Sequence, residues 1–491
     1  MEDFMNKNFK EKDSSMSNSV HRALILSFFM MWPAVSFSYD FYWAGNYSAE
    51  ANFLSGVDLG NGTDGDKDYI NHHLFLQPEV IFYSGLSFHG GLDVLNGDDN
   101  SVPNTSRVGQ VLGGSISSNQ STYSQDVPSP FVQRQFQKSR AVNISEAYLK
   151  YSHTNGELRL GRQPLEFGYG AFYNAGHGVF DHFYTNRDGL SYTFNMGNLS
   201  FNPMFNFLSD SLNSGSQSSE FGIKVGFSVE DTGLDLGFMV LQRHTPAEIN
   251  ALNAVPGGEF GAAKPITYGL FFNRQRKTFS YGFEALAQDG TAGVDSAGNN
   301  ISLQGFGVAG QVDWQLGKWD LSGKFGYASG NDPQDADEVG SVAMHRNYDL
   351  GLILFNHPLG AAAYDPTGTS LRGRNGSLGA GYSPEKTVDT DSISNAKYLA
   401  PSATYTFSRK WKLGTTLVVA WLNETNVAPG GGAVSSYLGS ELDLTLDYEP
   451  TENIIISTTA GYFLPGSAFE GAGAFNTDNS FGITSRVGIR F

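Results

Sequence analysis

Residues 480–491 read SFGITSRVGIRF. Phe481, Ile483, Val487, Ile489 and Phe491 occupy one set of alternate positions, and Gly482, Thr484, Arg486, Gly488 and Arg490 the other. Successive side chains of a β-strand point to opposite faces, so this segment is a strand with one apolar and one polar side.

The same period recurs upstream. In FGIKVGFSV at 221–229, Phe221, Ile223, Val225, Phe227 and Val229 face away from Lys224 and Ser228. GLDLGFMV at 233–240 and WDLSGKFGY at 319–327 repeat it, and at 437–448 Leu438, Leu442, Leu444, Leu446 and Tyr448 oppose Glu441, Asp443 and Asp447. A soluble sandwich alternates in the same way with its apolar face inward, so period alone does not choose between architectures. Connection lengths do. Short turns are expected at Ser84-Gly85, His153–Gly156, Met196–Asn198, Glu230–Gly233, Arg276–Thr278, Leu316–Lys318, Ser408–Lys410 and Glu449–Asn453. Long polar stretches alternate with them near 55–68, 96–140, 164–187, 209–219, 245–263, 290–300, 331–396, 425–436 and 464–480. Eight short turns and nine long loops define eighteen strands with both chain ends on one side. That is the plan of an all-β, up-and-down transmembrane barrel with short periplasmic turns and long extracellular loops. A final strand closing on Phe491 is then the expected signal for the barrel-assembly machinery, and Trp43, Trp314, Trp319, Trp411, Trp421 and Tyr448 sit at strand ends, where interfacial girdles belong.

Bulk properties agree. The 491 residues carry 59 glycines, no cysteine and a net charge of −18. The missing thiol excludes disulfides and cysteine-based metal sites or catalysis. The acidic balance argues against nucleic acid and against docking on an anionic membrane surface, but not against insertion among outer-membrane lipid and lipopolysaccharide. HRALILSFFMMWPAVSFS at 21–38 has a positive start, a short apolar run and small residues at cleavage-like spacing. It predicts a secretory signal over 1–38 and a single barrel domain over 39–491; the apolar run is shorter than the ~20 residues of a spanning helix. The polar stretch ahead of Met16 is foreign to a signal, so synthesis is expected to start at Met16.

Alternation also assigns the lumen face. Its expected pore-lining members are the basic Lys150, Arg159, Lys224, Arg243, Lys324 and Arg486 and the acidic Glu284, Glu441 and Asp443, within a wider mixed set in which acid outnumbers base. Mixed signs suit opposed charge ladders across a wet pore, and any one pair serves equally well as a brace for the wall. Loops 96–140 and 331–396 are the best candidates to fold inward, and Arg134, Arg140, Arg187, Arg372 and Arg374 would then supply a basic constriction. Other chemistry is thin. Asp64, Asp66 and Asp68 have alternate spacing but lack the bidentate glutamate of a calcium loop. His72 and His73 face opposite sides of a strand, and Asp181, His182 and Ser191 do not by sequence define a catalytic triad. No metal, cofactor or enzymatic activity is expected.

GELRLGRQPLEFGYG at 156–170 resembles the strand and GRQ segment of the alginate-export porin family; NRDGLSY at 186–192, YASGNDPQDADE at 327–338, PSATYTFSRKWKL at 401–413 and AGYFLPG at 460–466 resemble it too. The resemblance implies an eighteen-stranded barrel and export of an anionic polysaccharide through a basic pore. The residue it carries over is Arg162 of the GRQ motif. Arg162 shares the lipid-facing parity of Leu158 and Leu160, so it is expected at the outer rim, or turned inward by a bulge, bracing loop 164–187. Three readings follow: a passive channel for a hydrophilic, anionic or saccharide solute; a dedicated polysaccharide exporter; or a plugged structural or adhesive barrel.

Overall fold

The computed structural model describes residues 39–62, 65–94, 142–210, 217–246, 262–294, 298–330, 332, 337–357, 359–360, 392–425 and 433–491. The expected leader lies outside them. Eighteen strands form the wall: β1 (Asp40–Ser55), β2 (Lys67–Tyr83), β3 (Leu86–Val94), β4 (Val142–His153), β5 (Gly156–Pro164), β6 (Asn186–Met196), β7 (Leu199–Asp210), β8 (Gln217–Val229), β9 (Leu234–His244), β10 (Lys264–Gln275), β11 (Phe279–Val294), β13 (Gly305–Leu316), β14 (Trp319–Ala328), β16 (Ala396–Thr406), β17 (Trp411–Leu422), β18 (Tyr437–Thr451), β19 (Ile454–Pro465) and β20 (Ser480–Arg490). Two short strands, β12 (Asn300–Leu303) and β15 (Glu338–Val339), pair in parallel beyond the wall.

Each wall strand pairs antiparallel with the next, and β1 pairs with β20 from Asn46↔Arg490 to Ser55↔Phe481, which closes the cylinder. Phe491 completes that seam by exchanging two backbone hydrogen bonds with Gly45, at 2.9 and 3.0 Å. Closure leaves no sheet edge, the condition for crossing a bilayer with strands. The short turns fall where the sequence places them. Gly85, Gly197, Gly233 and Gly317 take left-handed φ values there, which a side chain would resist.

Burial settles the ambiguity between sandwich and barrel. On β18, Leu442, Leu444 and Leu446 are exposed while Glu441 and Asp443 are buried. The same inversion puts Leu158 and Leu160, Phe221, Leu236 and Phe238, and Leu270 on the outside. A continuous apolar exterior with carboxylates inside fits lipid outside and a polar lumen within. At the turn end, Trp411 stacks on Tyr448 (4.4 Å between centroids), and Trp319–Tyr405 and Phe41–Trp43 make further ring pairs. These form the girdle at one membrane interface.

Candidate functional site: the lumen and its inward loops

The lumen holds a hydrophobic core. Residues 165–185, which leave β5 at Pro164 and return into β6, fold into the cylinder; this segment is called loop 3 below. Its Leu165, Phe167, Ala171, Phe172, Tyr173 and Phe183 are buried in one cluster with Val342, Met344, Ile353, Leu354 and Phe355 of the loop between β14 and β16 (loop 7). Met204, Met239, Leu241 and Leu286 are among the wall residues that join it.

Irregular backbone buried this way must find partners for its amides. Wall carboxylates supply them. Glu284 of β11 accepts hydrogen bonds from the amides of Tyr169 (2.7 Å), Ala171 and Phe172 (both 3.2 Å). Glu441 of β18 accepts from Ile353 and Leu354, each at 2.7 Å, and Asp443 from Leu352 at 3.0 Å. Glycine makes the approach possible: a Cβ on Gly351 would meet Glu441 at 2.9 Å.

A second set of contacts joins loop 3 to the opposite wall. His177 Nε2 lies 2.6 Å from Glu146 of β4, and His182 Nε2 lies 2.9 Å from Glu50 of β1. His73 of β2 is paired with Asp93 of β3 at 2.8 Å, and its ring centroid is 5.4 Å from that of His182. Arg486 of β20 covers the ring of Phe180 in the same loop at 4.3 Å.

Between the first turn of loop 3 and strands β5–β10 lies a cavity of about 300 Å³. Arg159 and Lys224 line it together with Gln163, Ser191, Thr193, Ser200, Asn202 and Asn206, and Leu165, Phe167, Met204 and Phe271 give it an apolar side. Lys224 Nζ donates to the Glu166 carbonyl at 3.3 Å. Arg159 binds Glu157 at 2.6 Å and its guanidinium lies over the Tyr148 ring. Arg187 borders the cavity, but it is 1% exposed and its Nε is 2.6 Å from Glu220, which also accepts from Arg243 and Asn206.

The nine wall residues named from alternation all face inward, but to different ends. Lys224 and Arg159 line the cavity. Lys150 lies 4.0 Å from Glu79 and Lys324 donates to the Asp349 carbonyl at 3.1 Å. Arg243 and Arg486 brace buried contacts, and Glu284, Glu441 and Asp443 hold loop backbone. Arg162 is at the rim: it keeps outward parity, grips Asp188 through Nε and Nη2 at 2.7 and 2.8 Å, and donates to the Ile144 carbonyl. Arg134, Arg140, Arg372 and Arg374 lie outside the described residues, as does loop 96–140. The described part of 331–396 does fold inward. Loop 3, expected only as a stretch beside the rim, contributes as much. Its signal was composition: nine of the residues between 165 and 184 are large apolar or aromatic, unlike a solvated loop. Asp66 accepts from Ser55 and the Gly56 amide, His72 Nδ1 lies on the outer face 2.8 Å from the Tyr47 hydroxyl, and Ser191 donates to Gln163, so each is engaged locally.

A closed eighteen-stranded barrel with an apolar coat, a polar inner face and loops narrowing the lumen is a porin-like channel of the bacterial outer membrane. The model of the family described as alginate export matches residues 115–482, well over half of the chain. The chain belongs to the alginate export family. No curated protein matches it in sequence. Among solved structures it is similar to Pseudomonas aeruginosa OccK9 (OpdG), at 10% identity and a TM-score of 0.48 over 91% of this chain and 98% of that one. It is similar to P. aeruginosa OccK2 (OpdF) in complex with glucuronate, at 9% identity and 0.48 over the same shares. OmpT of Vibrio cholerae gives 11% identity and 0.37 over 92% and 98%.

Proposed function

We propose that this channel passes a small, hydrophilic, anionic solute down its gradient, between loop 3 and the β5–β10 wall, without chemical conversion and without a cofactor. The observation that carries this reading is the cavity: about 300 Å³ with Arg159 and Lys224 on it. That is the lower end of small-molecule sites, which run from about 300 to 1,000 Å³. Most lumen carboxylates are engaged elsewhere: Glu284, Glu441 and Asp443 on backbone amides, and Glu50, Asp93 and Glu146 on histidines. At the path itself Arg159, Lys224 and Arg187 outnumber the one lining carboxylate, Glu166, although Arg159 is paired with Glu157 and Arg187 with Glu220, and that balance favours an anion.

The family's description points to a polyuronate, and a uronate monomer or short oligomer carries the same charge at a size the cavity suits. A long polymer would need loop 3 displaced. The proposed partners are outer-membrane lipid and lipopolysaccharide on the apolar coat and the barrel-assembly machinery at the β1–β20 seam. Liposome swelling with a graded series, from monosaccharide acids to long polyuronates, tests the reading. Rapid entry of the acids, slower entry of neutral sugars of equal size and exclusion of the polymers are expected. Equal entry of polymer and monomer would favour the exporter, and no entry at all the plugged barrel.

A further inference from the structure

Loop 3 is fixed to the two sides of the barrel by different chemistry. Toward β11 it is held by the Glu284 carboxyl group, which accepts from three backbone amides. Toward β1 and β4 it is held by imidazoles on carboxylates, His182 on Glu50 and His177 on Glu146. We propose that loop 3 is a proton-operated gate, held to the wall through the His177–Glu146 and His182–Glu50 contacts, with the His177–Glu146 latch engaged in mild acid and released as the pH rises.

The surroundings of both imidazoles are crowded with carboxyl groups. His177 faces Glu146 from β4, and Glu166 and Asp181 from its own loop. His182 faces Glu50 from β1, His73 from β2 and the adjacent Asp181, and Glu50 faces Arg486 from β20. Loop 7 brings Asp349 to the same corner, within the influence of Lys324, Arg486, Asp181 and Glu50. Two fixed cations therefore meet several carboxyl groups, and the charge on His177 bears on how anionic this side of the loop becomes.

The direction follows from linkage. Burial works against the charged form of His177, but the hydrogen bond and charge of Glu146 outweigh it and raise its pKa above the ordinary histidine value. A raised histidine stabilises docking fully below its ordinary value, and that contribution fades as pH climbs through the raised one. Burial raises Asp181, and pushes Asp349 up to about 6. Asp349 is thus uncharged in mild acid and becomes an anion near Glu50 as the pH rises, and the upward shift of Asp181 acts in the same direction. Loss of positive charge and gain of negative charge thus act together, and both loosen the loop on the alkaline side.

The gate is testable in potassium chloride alone, whatever the natural solute. Single-channel conductance of the full chain is measured from pH 5.5 to 8.5, for the parent and for His177→Gln with His182→Gln. The parent is expected to rise several-fold with pH, and the double variant to stay at the high level throughout. A parent without pH dependence, or a variant that titrates like it, would overturn the proposal while leaving the channel reading intact. If the double variant does not insert, Val179→Cys with Gly488→Cys serves instead, because a Cβ on Gly488 would come within 2.7 Å of the Val179 side chain and the chain has no other thiol. Oxidised, this bridge should hold conductance low at every pH, and reduction should restore the rise; a rise that persists through the bridge would also overturn the gate. Selectivity for small acids lost with the pH response intact would defeat the solute reading alone.

Discussion

The carboxylate of Glu284 lies directly beneath Gly168: a Cβ on that glycine would sit 2.6 Å from Glu284 Oε2. Gly168 has a φ of +60°, so both space and backbone conformation exclude a side chain there. Gly168→Ala is expected to lift the first turn of loop 3 from its anchor. Glu284→Leu should do more, since it removes the acceptor of three loop amides, two of them in buried contacts, at about 1–3 kcal/mol for each buried unsatisfied group. Open-channel current noise should increase in both variants, most in Glu284→Leu. Quiet, parental traces from Glu284→Leu would show that the anchor does not hold the loop.

Selectivity should reside in the wall. Arg159→Gln with Lys224→Gln removes two of the three cations lining the cavity, those of β5 and β8, and leaves the buried Arg187 in place. The reversal potential in a salt gradient is expected to shift from anion preference toward neutrality or cation preference. An unchanged potential would move the determinant to the arginines of the long loops, such as Arg134, Arg140, Arg372 and Arg374.

Two ion pairs containing arginine should differ in what their loss costs. Glu220 is buried between Arg187 and Arg243, so Glu220→Gln removes the buried carboxylate that both guanidinium groups pair with, at a cost of about 3–5 kcal/mol. The Arg162–Asp188 pair is partly exposed at the rim, where solvent screens it, and Asp188→Asn should cost about 1 kcal/mol or less. Denaturant midpoints in lipid vesicles compare them. Similar losses would mean that the Glu220 cluster is reached by water.

The coat predicts a sharp asymmetry along β18. Leu444, 52% exposed at the middle of the strand, faces lipid, and Leu444→Arg should destabilise the barrel by about 2–4 kcal/mol. Asp443→Lys, one residue away, would be tolerated in an open polar lumen. Here it removes the acceptor of the Leu352 amide and sets a cation beside loop 7, so it should disturb gating with less effect on insertion. Normal heat-modifiable barrel from Leu444→Arg would contradict the assignment of that face.

The wall was legible in the sequence because its signal is local. Alternation such as that of Leu442, Leu444 and Leu446 reports which way each side chain points, and the short turns report connectivity. The lumen was legible only by parity. Glu284, Glu441 and Asp443 were placed on the correct face, but their partners, the amides of residues 169–172 and 352–354, come from far along the chain. Loop length drew attention to 96–140 and 331–396, whereas inward folding depends on apolar side chains finding one another, as Phe172 does beside Gly307 and Leu352 beside Gly461. Such contacts have no period. The histidines gave a partial cue: the opposite facing of His72 and His73 was readable, but the approach of His182 to Glu50 needed the closed cylinder.

The core inside the lumen gives several strands two greasy sides. On β9, Met239 and Leu241 are buried beneath loop 3 and loop 7, while Leu236 and Phe238 are exposed to lipid. Leu286 of β11 is likewise sealed inward. Excising loop 3 would therefore not yield a wide, water-filled tube. It would uncover a band of thioether and aliphatic surface at the waist of the pipe, which water avoids, and the remaining loops or an opportunistic lipid tail would close over it. In this barrel the obstruction is also the lining, so a larger bore has to be made by repainting the wall and not by removing the plug.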